Sequence, residues 1–432
     1  MLWVAALLPA AAVGQVPKGA VHKLLATGRE YEVLVPTAPA DQLRNLPLAV
    51  YLHGSGKPQL DRAKADYWPI LGPRKCLLAI PRGKSAKMWL AGEEKYVLDV
   101  VADVRTRYSV DAGRILLLGV SGGGQVALFL ADHLPEKFRA VVVVSTSPVV
   151  IRGRRHTWFY PNRKTLRKCP YFVVNHITQG SALMYWRQVR AKLAGEGASL
   201  SILPVTGKPG DYQPPPKALA GWLDEVLAGR HPKPLPDPQK AAVAKMFAPC
   251  AAALPAEIAK AAPAAAGEKL DKAGKLLRLT VTAPAGFERS KKEEAAADST
   301  GAPLTQIRLE HKKWPVYVRC DARATAKPMG AVLSAEEKAT IARGMLYQLY
   351  HTGQVPAAGR KWQYKIGSIT YPDRRRGWVS ALFVHAAAPI KADRRHFLTV
   401  MLTDETQQPD AKELAGVLKA VLSGLGVGPG TN

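Results

Sequence analysis

One turn constrains this chain more than any other feature. The apolar run Arg114-Ile-Leu-Leu-Leu ends in Gly119-Val120-Ser121-Gly122-Gly123-Gly124, and a helical pattern follows at once. A short continuous apolar run of this kind reads as a strand buried on both faces of a parallel sheet. Glycines on either side of a serine permit a turn so tight that neighbouring backbone crowds it. Such a turn lifts the Ser121 hydroxyl above the sheet edge, at a helix N-terminus whose dipole favours a developing anion. Gly-x-Ser-x-Gly alone is a weak sign; between a strand and a helix it is a strong one.

The surrounding sequence supplies the sheet. From Glu30 to Arg230, apolar strands read at Tyr31–Val35, Leu46–Leu52, Cys76–Ile80, Arg114–Gly119, Ala140–Ser145, Tyr171–Asn175 and Leu200–Val205. Helical spacing appears at Glu93–Tyr108, Gln125–His133, Ala182–Ala194 and Lys217–Leu227. Strands interleaved with helices imply an α/β fold: a doubly wound, mostly parallel sheet covered on both faces.

A chain of 432 residues is long for one core, and two domains are expected. His231-Pro-Lys-Pro-Leu-Pro-Asp-Pro-Gln239 has a proline at every second position and reads as a stiff extended linker. An Ala-rich, Lys-dotted stretch runs from there to residue 275. Strands read at Leu277–Thr282, Thr305–His311, Val316–Asp321, Trp362–Thr370, Trp378–His385 and Phe397–Leu402. Helices are expected after Ser334, where Ser-Ala-Glu-Glu has capping-box spacing, and over Asp410–Leu422. Strands grouped around two helices imply a smaller α+β antiparallel-sheet domain. The division read from sequence is therefore residues 15–230, a linker and Ala-rich segment over 231–275, and a second domain over 276–428.

A second glycine turn lies upstream, where Leu46–Leu52 runs into His53-Gly54-Ser55-Gly56. Acyl transfer passes through an oxyanion that needs preorganised N–H donors. The backbone N–H of Gly122 offers one, and the Gly54–Ser55 turn offers another. His53 is read as fixing the loop rather than moving protons. A strand followed by His-Gly-x-Gly, then Asp111-x-x-Arg114-Ile-x-Leu-x-Gly-x-Ser-x-Gly-Gly, resembles the phospholipase/carboxylesterase and feruloyl-esterase-like serine hydrolases of the α/β-hydrolase superfamily. The resemblance covers residues 30–230 and implies Ser121 as nucleophile.

It also implies an acid in the loop after Tyr171–Asn175 and a histidine after Leu200–Val205. The first loop reads His176-Ile-Thr-Gln-Gly-Ser181, without the family's aspartate, and no Asp or Glu occurs between Glu136 and Glu196. The second reads Thr206-Gly-Lys-Pro-Gly-Asp211-Tyr212, without histidine. Serine needs a neighbouring base to become a nucleophile, and an ordinary aspartate substitutes poorly for imidazole. Three readings stay open. The domain is a pseudo-hydrolase that kept the turn and lost the base; or a displaced base serves, His176 facing Asp211 or His156 reaching in from the preceding loop; or the correspondence of loops is shifted.

The charge is lopsided: 61 Lys and Arg against 34 Asp and Glu, net +27. Such a surface attracts anionic glycans, nucleic acid or an anionic cell-envelope surface. No zinc-finger spacing, aromatic RNA-binding signature or helix-turn-helix pattern is present, so no specific nucleic-acid partner is expected. Between Pro148 and Cys169 the chain carries Arg154, Arg155, Trp158 and Arg167 among other basic and aromatic residues, and no acid. Lying at the carboxyl edge of the sheet, this segment is expected to rim the cleft and to prefer an anionic ester or glycan. Arg374-Arg375-Arg376 and Arg394-Arg395 read as charged turns.

Residues 1–14, MLWVAALLPAAAVG, are apolar and end in small residues. They read as a signal peptide lacking a basic n-region, hence an extracytoplasmic protein, periplasmic or secreted. No other segment reads as membrane-spanning. The four cysteines, Cys76, Cys169, Cys250 and Cys320, form no Cys-x-x-Cys, and they read either as paired in an exported chain or as buried thiols. No metal and no organic cofactor is implied.

Overall fold

The structure is a computed structural model. It describes residues 19–54, 60–83, 89, 92–152, 155–158, 163–193, 197–206, 213–262, 266–273, 277–290, 304–313, 315–324, 337–338, 340–373, 377–390, 396–406 and 408–429. The apolar leader, Ser55, Arg154, Asp211, Ser334, Arg374–Arg376 and Arg394–Arg395 lie outside them. The chain divides into two compact units, Met1–Asp237 and Pro238–Asn432.

In the first unit the strands are β1 (Ala20–Lys23), β2 (Glu30–Leu34), β3 (Leu46–Leu52), β4 (Leu77–Pro81), β5 (Val110–Val120), β6 (Ala140–Val144), β7 (Val149–Arg152), β8 (Arg155–Trp158), β9 (Tyr171–His176) and β10 (Leu200–Val205). The helices are α1 (Leu60–Leu71), α2 (Glu93–Arg107), α3 (Gly122–His133), α4 (Arg163–Lys168), α5 (Gly180–Lys192) and α6 (Pro216–Leu227). One eight-stranded sheet has the order β1-β2-β4-β3-β5-β6-β9-β10, while β7 and β8 form a separate hairpin. The strands from β4 to β10 in that order pair in parallel, and β2 joins β4 antiparallel. This is the mixed, mostly parallel sheet read from the sequence.

Parallel strands need crossover helices, and the helices bury the sheet from both sides. Adjacent residues of β9 point to opposite faces: Phe172 packs on Trp222 of α6, with ring centroids 5.3 Å apart, and Tyr171 on Trp186 of α5 at 6.4 Å. Tyr67, Trp68 and Leu71 of α1 join Leu116, Leu118, Val142 and Val174 in the core beneath α6. Helix α1 escapes the periodicity of the sequence because Pro69 and interspersed polar residues break its apolar stripe.

Topology then fixes where a ligand can sit. From β3 the chain passes through α1 to β4 on one side, whereas from β5 it passes through α3 to β6 on the other. The two connections diverge, leaving a crevice at the carboxyl ends of β3 and β5, where open α/β sheets take their ligands. The two glycine turns identified in the sequence are the ends of these strands.

The proline-rich stretch is strapped to the first unit and is not a free spacer. Ser199 donates its hydroxyl to the Pro232 carbonyl, Leu235 N–H donates to Ser201 Oγ at 3.1 Å, and Arg187 Nε donates to Asp237 Oδ2 at 2.9 Å. Arg187 and Asp237 are both buried. Extended proline backbone lacks N–H groups for a ladder, so these side chains do the fastening.

In the second unit the Ala-rich stretch is helix α7 (Pro238–Lys260). Its 23 residues are long and apolar enough to cross a bilayer by length and composition, which departs from the sequence reading. Val243, Phe247, Cys250, Leu254 and Ile258 nevertheless recur at helical spacing and are buried in this unit's core, the pattern of a core helix. A seven-stranded antiparallel sheet comprises β13 (Phe287–Arg289), β14 (Leu304–His311), β15 (Val316–Ala324), β16 (Leu346–Ala357), β17 (Arg360–Asp373), β18 (Gly377–Pro389) and β19 (His396–Asp404), in the order β13-β14-β15-β19-β18-β17-β16. A three-stranded sheet holds β11 (Ala266–Ala273), β12 (Leu277–Pro284) and β20 (Leu425–Pro429). Helix α8 (Ala411–Ser423) is capped by Asp410, whose carboxylate accepts from Glu413 N–H at 2.9 Å. The unit is α+β, as expected. Strand β16 is not legible in the sequence because it carries Gly353 and Pro356, which an edge strand tolerates.

Candidate functional site

Ser121 sits between β5 and α3 with φ 50° and ψ −116°. A left-handed φ at a residue bearing a Cβ is strained, of order 1–3 kcal/mol, and persists only where its surroundings over-determine it. Those surroundings are visible. Ser121 N–H donates to the Val144 carbonyl of β6 at 2.8 Å, and Gln125 N–H donates to the Ser121 carbonyl at 3.2 Å. The buried Thr146 hydroxyl lies 3.2 Å from the Ser121 carbonyl and 2.9 Å from that of Val144, bracing the turn from the β6 side. Trp186 of α5 in turn donates its indole N–H to the Thr146 carbonyl at 2.7 Å. Among the described residues, Ser121 Oγ makes no hydrogen bond.

Two glycines are required by close approach. A Cβ at Gly123 would stand 2.2 Å from the Leu52 carbonyl oxygen and 2.4 Å from that of His53. The first turn of α3 therefore lies directly on the end of β3. A Cβ at Gly119 would stand 2.5 Å from the Cα of Gly124, so the strand and the helix it feeds touch backbone to backbone. The same packing brings Gly54 to the nucleophile, since a Cβ there would lie 3.4 Å from Ser121 Cβ. Gly122 is the first residue of α3, and its N–H has no intrahelical acceptor. Ser121, Gly54 and Gly122 are thus assembled in one place; Ser55 lies outside the described residues.

His53 is buried and fully engaged. Its Nδ1 is 2.8 Å from the Gly54 carbonyl, and its Nε2 accepts from Gly83 N–H at 3.2 Å. A carbonyl only accepts, so Nδ1 carries the proton and Nε2 supplies the lone pair. Both nitrogens are consumed in fixing the loop, as the sequence reading held. Trp89 completes that fixing: its indole N–H donates to the His53 carbonyl at 2.8 Å, and the two rings lie 5.0 Å apart. Nothing in the sequence pointed to Trp89, which follows His53 by 36 residues in the loop before α2. Thr146 was equally silent, since one threonine after a strand has no pattern.

The candidate bases stand as follows. His176 is the last residue of β9 and is buried. Its Nδ1 lies 2.6 Å from Thr178 Oγ1 and accepts from Thr178 N–H at 3.2 Å. The backbone donor assigns the lone pair to Nδ1, so that lone pair is turned to Thr178. Its neighbour Asn175 is fully buried, and among the described residues neither its Oδ1 nor the buried Ser145 Oγ atom has a hydrogen-bond partner. His156 lies on β8 opposite Ile151, and Arg155 opposite Arg152, while Trp158 pairs with Val149. Sequence reading had this stretch as an irregular loop; it is a hairpin followed by α4, which carries Arg167 on its exposed side. Asp211 and Arg154 lie outside the described residues.

Cysteine offers no alternative nucleophile. All four thiols are unpaired and buried. Burial pushes Cys76 up to about 12 and raises Cys169 and Cys320 as well, which suppresses the thiolate. Among the described residues, no group of three His, Cys, Asp or Glu side chains is arranged to hold a metal ion.

No protein-family model and no curated protein sequence matches this chain. Solved structures do, and they are esterases and serine hydrolases. A thermostable esterase is similar at 17% identity and a TM-score of 0.34, over 49% of this chain and 61% of that one. A ferulic acid esterase is similar at 15% identity and 0.36, over 48% and 95%. The S-formylglutathione hydrolase of Staphylococcus aureus is similar at 13% identity and 0.37, over 49% and 97%. The chain thus spans about three-fifths of the thermostable esterase's length.

Proposed function

We propose that the first unit is a serine hydrolase-type domain acting on carboxylic esters through Ser121, with a degenerate or rearranged triad, in an exported protein. The observation that carries the reading is the backbone of Ser121. A strained, positive-φ serine with a free hydroxyl, wedged against Gly54 and leading an α-helix, is costly to keep and has a specific use. In that use Ser121 Oγ attacks the acyl carbon, and the carbonyl oxygen becomes an oxyanion. The N–H of Gly122 and one from the Gly54–Ser55 turn receive it. A base removes the hydroxyl proton and returns it to the departing alcohol.

His176 is the first candidate for that base and His156 the second, with Asp211 as the acid. For His176 to serve, its lone pair must leave Thr178, by a tautomer exchange or a ring rotation. Rates well below those of an intact triad follow, because such a step precedes each proton transfer. The engagement of His176 with Thr178 also favours a second reading, in which the cleft binds an ester or anionic glycan without turning it over. Arg155, Trp158 and Arg167 would then hold the ligand at the rim, with Arg154.

Labelling with a fluorophosphonate and turnover of p-nitrophenyl esters, each beside Ser121→Ala, tests both. Labelling and turnover that vanish in Ser121→Ala establish the hydrolase, and His176→Ala and His156→Ala then locate the base. Wild-type protein that neither labels nor turns over ester at any chain length leaves the binding reading.

A further inference from the structure

The seven-stranded sheet of the second unit carries an arrangement of arginines that folding alone does not favour. Arg308 of β14 and Arg319 of β15 are directly opposite each other in the antiparallel register. Like charges in that position destabilise a strand pair. The same register row continues through Met401, His385 and Lys365 to Thr352, so four of its six residues are basic types.

An acid of this face matches one member of the pair and leaves the other unmatched. Asp321 is buried and held by Gln306 Nε2 at 2.7 Å and Arg319 Nε at 3.1 Å. Glu310 accepts from Ser290 Oγ at 3.0 Å, and Glu405 accepts from the Tyr371 hydroxyl. Lys365 reaches Glu337 at 3.3 Å. Arg308 has no carboxylate partner among the described residues; its guanidinium lies over the Tyr317 ring, 5.3 Å from the centroid. That contact holds the guanidinium in place while leaving its N–H fork unspent.

Both arginines line a groove of about 270 Å³, shared with Tyr317, Ile369, Tyr371, Met401 and one acid, Glu405, which accepts from the Tyr371 hydroxyl. The groove therefore joins one unspent guanidinium fork, that of Arg308, with tyrosine and aliphatic surface suited to the face of a sugar ring. We propose that this groove binds an acidic saccharide, its carboxylate or sulfate group received by Arg308, with the Asp321-paired Arg319 beside it, and its ring lying along the tyrosine side. The ligand's charge would then supply the partner that Arg308 lacks among the described residues. The inference concerns the second unit alone and holds whether or not Ser121 turns over esters.

The test is calorimetric titration of the full-length protein with three probes: a digalacturonate disaccharide, a neutral disaccharide of the same size, and inorganic sulfate. The digalacturonate is expected to bind, and the neutral sugar and sulfate to bind at least ~tenfold more weakly. Arg308→Glu should weaken digalacturonate at least ~tenfold while melting at or above wild type, because it replaces a repulsive cross-strand pair by an attractive one. Should that variant melt early, Arg308→Gln, which keeps an uncharged polar stem, gives the same reading. Equal affinity for the neutral disaccharide or for sulfate, absence of digalacturonate binding, or affinity unchanged by a folded Arg308 variant would each overturn the proposal.

Discussion

Replacing Ser121 by glycine should stabilise the protein, against the usual direction of a change to glycine. The residue sits at φ 50°, ψ −116°, where a Cβ costs of order 1–3 kcal/mol and glycine costs almost nothing. Glycine loses more backbone entropy on folding, which offsets about 0.5–1 kcal/mol of that gain. The side chain itself gives up no hydrogen bond among the described residues, so no further loss enters. The net is a gain of roughly 0–2.5 kcal/mol, and for a unit of this size each kcal/mol shifts the midpoint by about 2–4 °C. Ser121→Ala is the control, because it removes the hydroxyl and keeps the strain; it should melt within a degree or two of wild type. Differential scanning calorimetry of the three proteins separates the two units' transitions. Ser121→Gly melting at or below Ser121→Ala would refute the reasoning: the turn would then hold no strain, and the structural ground for a serine of special purpose would go with it.

Asp237→Ala should destabilise the first unit by about 3–5 kcal/mol, because it leaves the buried Arg187 guanidinium without its partner and unfastens the proline strap; denaturant melts of the isolated transition read it. In the second unit, burial raises the pKa of Asp404 above the ordinary carboxylate value. A carboxyl whose folded pKa is raised binds its proton more tightly folded than unfolded, so stability falls as pH rises through that window. Asp404→Asn, which keeps an acceptor for the Thr406 N–H, should therefore be stabilising at pH 7 and converge on wild type in acid; equal gain at both pH values would contradict this. Finally, Cys76, Cys169 and Cys320 should resist iodoacetamide in native protein and react in denaturant, read by mass spectrometry of the alkylated peptides.

Much of the fold was legible because it rests on local rules. Arg114–Gly119 had to be a buried strand, since the five continuous apolar or small residues Ile115–Gly119, between a charged turn and a glycine-rich one, have few other homes. The glycines on either side of Ser121 announced the turn for steric reasons that the distances at Gly119 and Gly123 bear out. In the second unit the six strands read between Leu277 and Leu402 were marked by apolar, β-branched and aromatic residues, whereas β13 and β16 were not read. The absence of a histidine after β10 and of an acid after β9 was also plain from sequence, because it is a fact about residue types. What sequence could not decide was anything set by an encounter between distant residues. The commitment of His53 to Gly83 and Trp89, the turning of the His176 lone pair to Thr178, and the fastening of Asp237 by Arg187 depend on which strand ends meet. So does the facing of Arg308 with Arg319, which are unremarkable arginines until an antiparallel register sets them side by side. Local periodicity determined most of the elements and the turn at the serine; only packing decided which polar atoms were already spent and which remained free for a ligand.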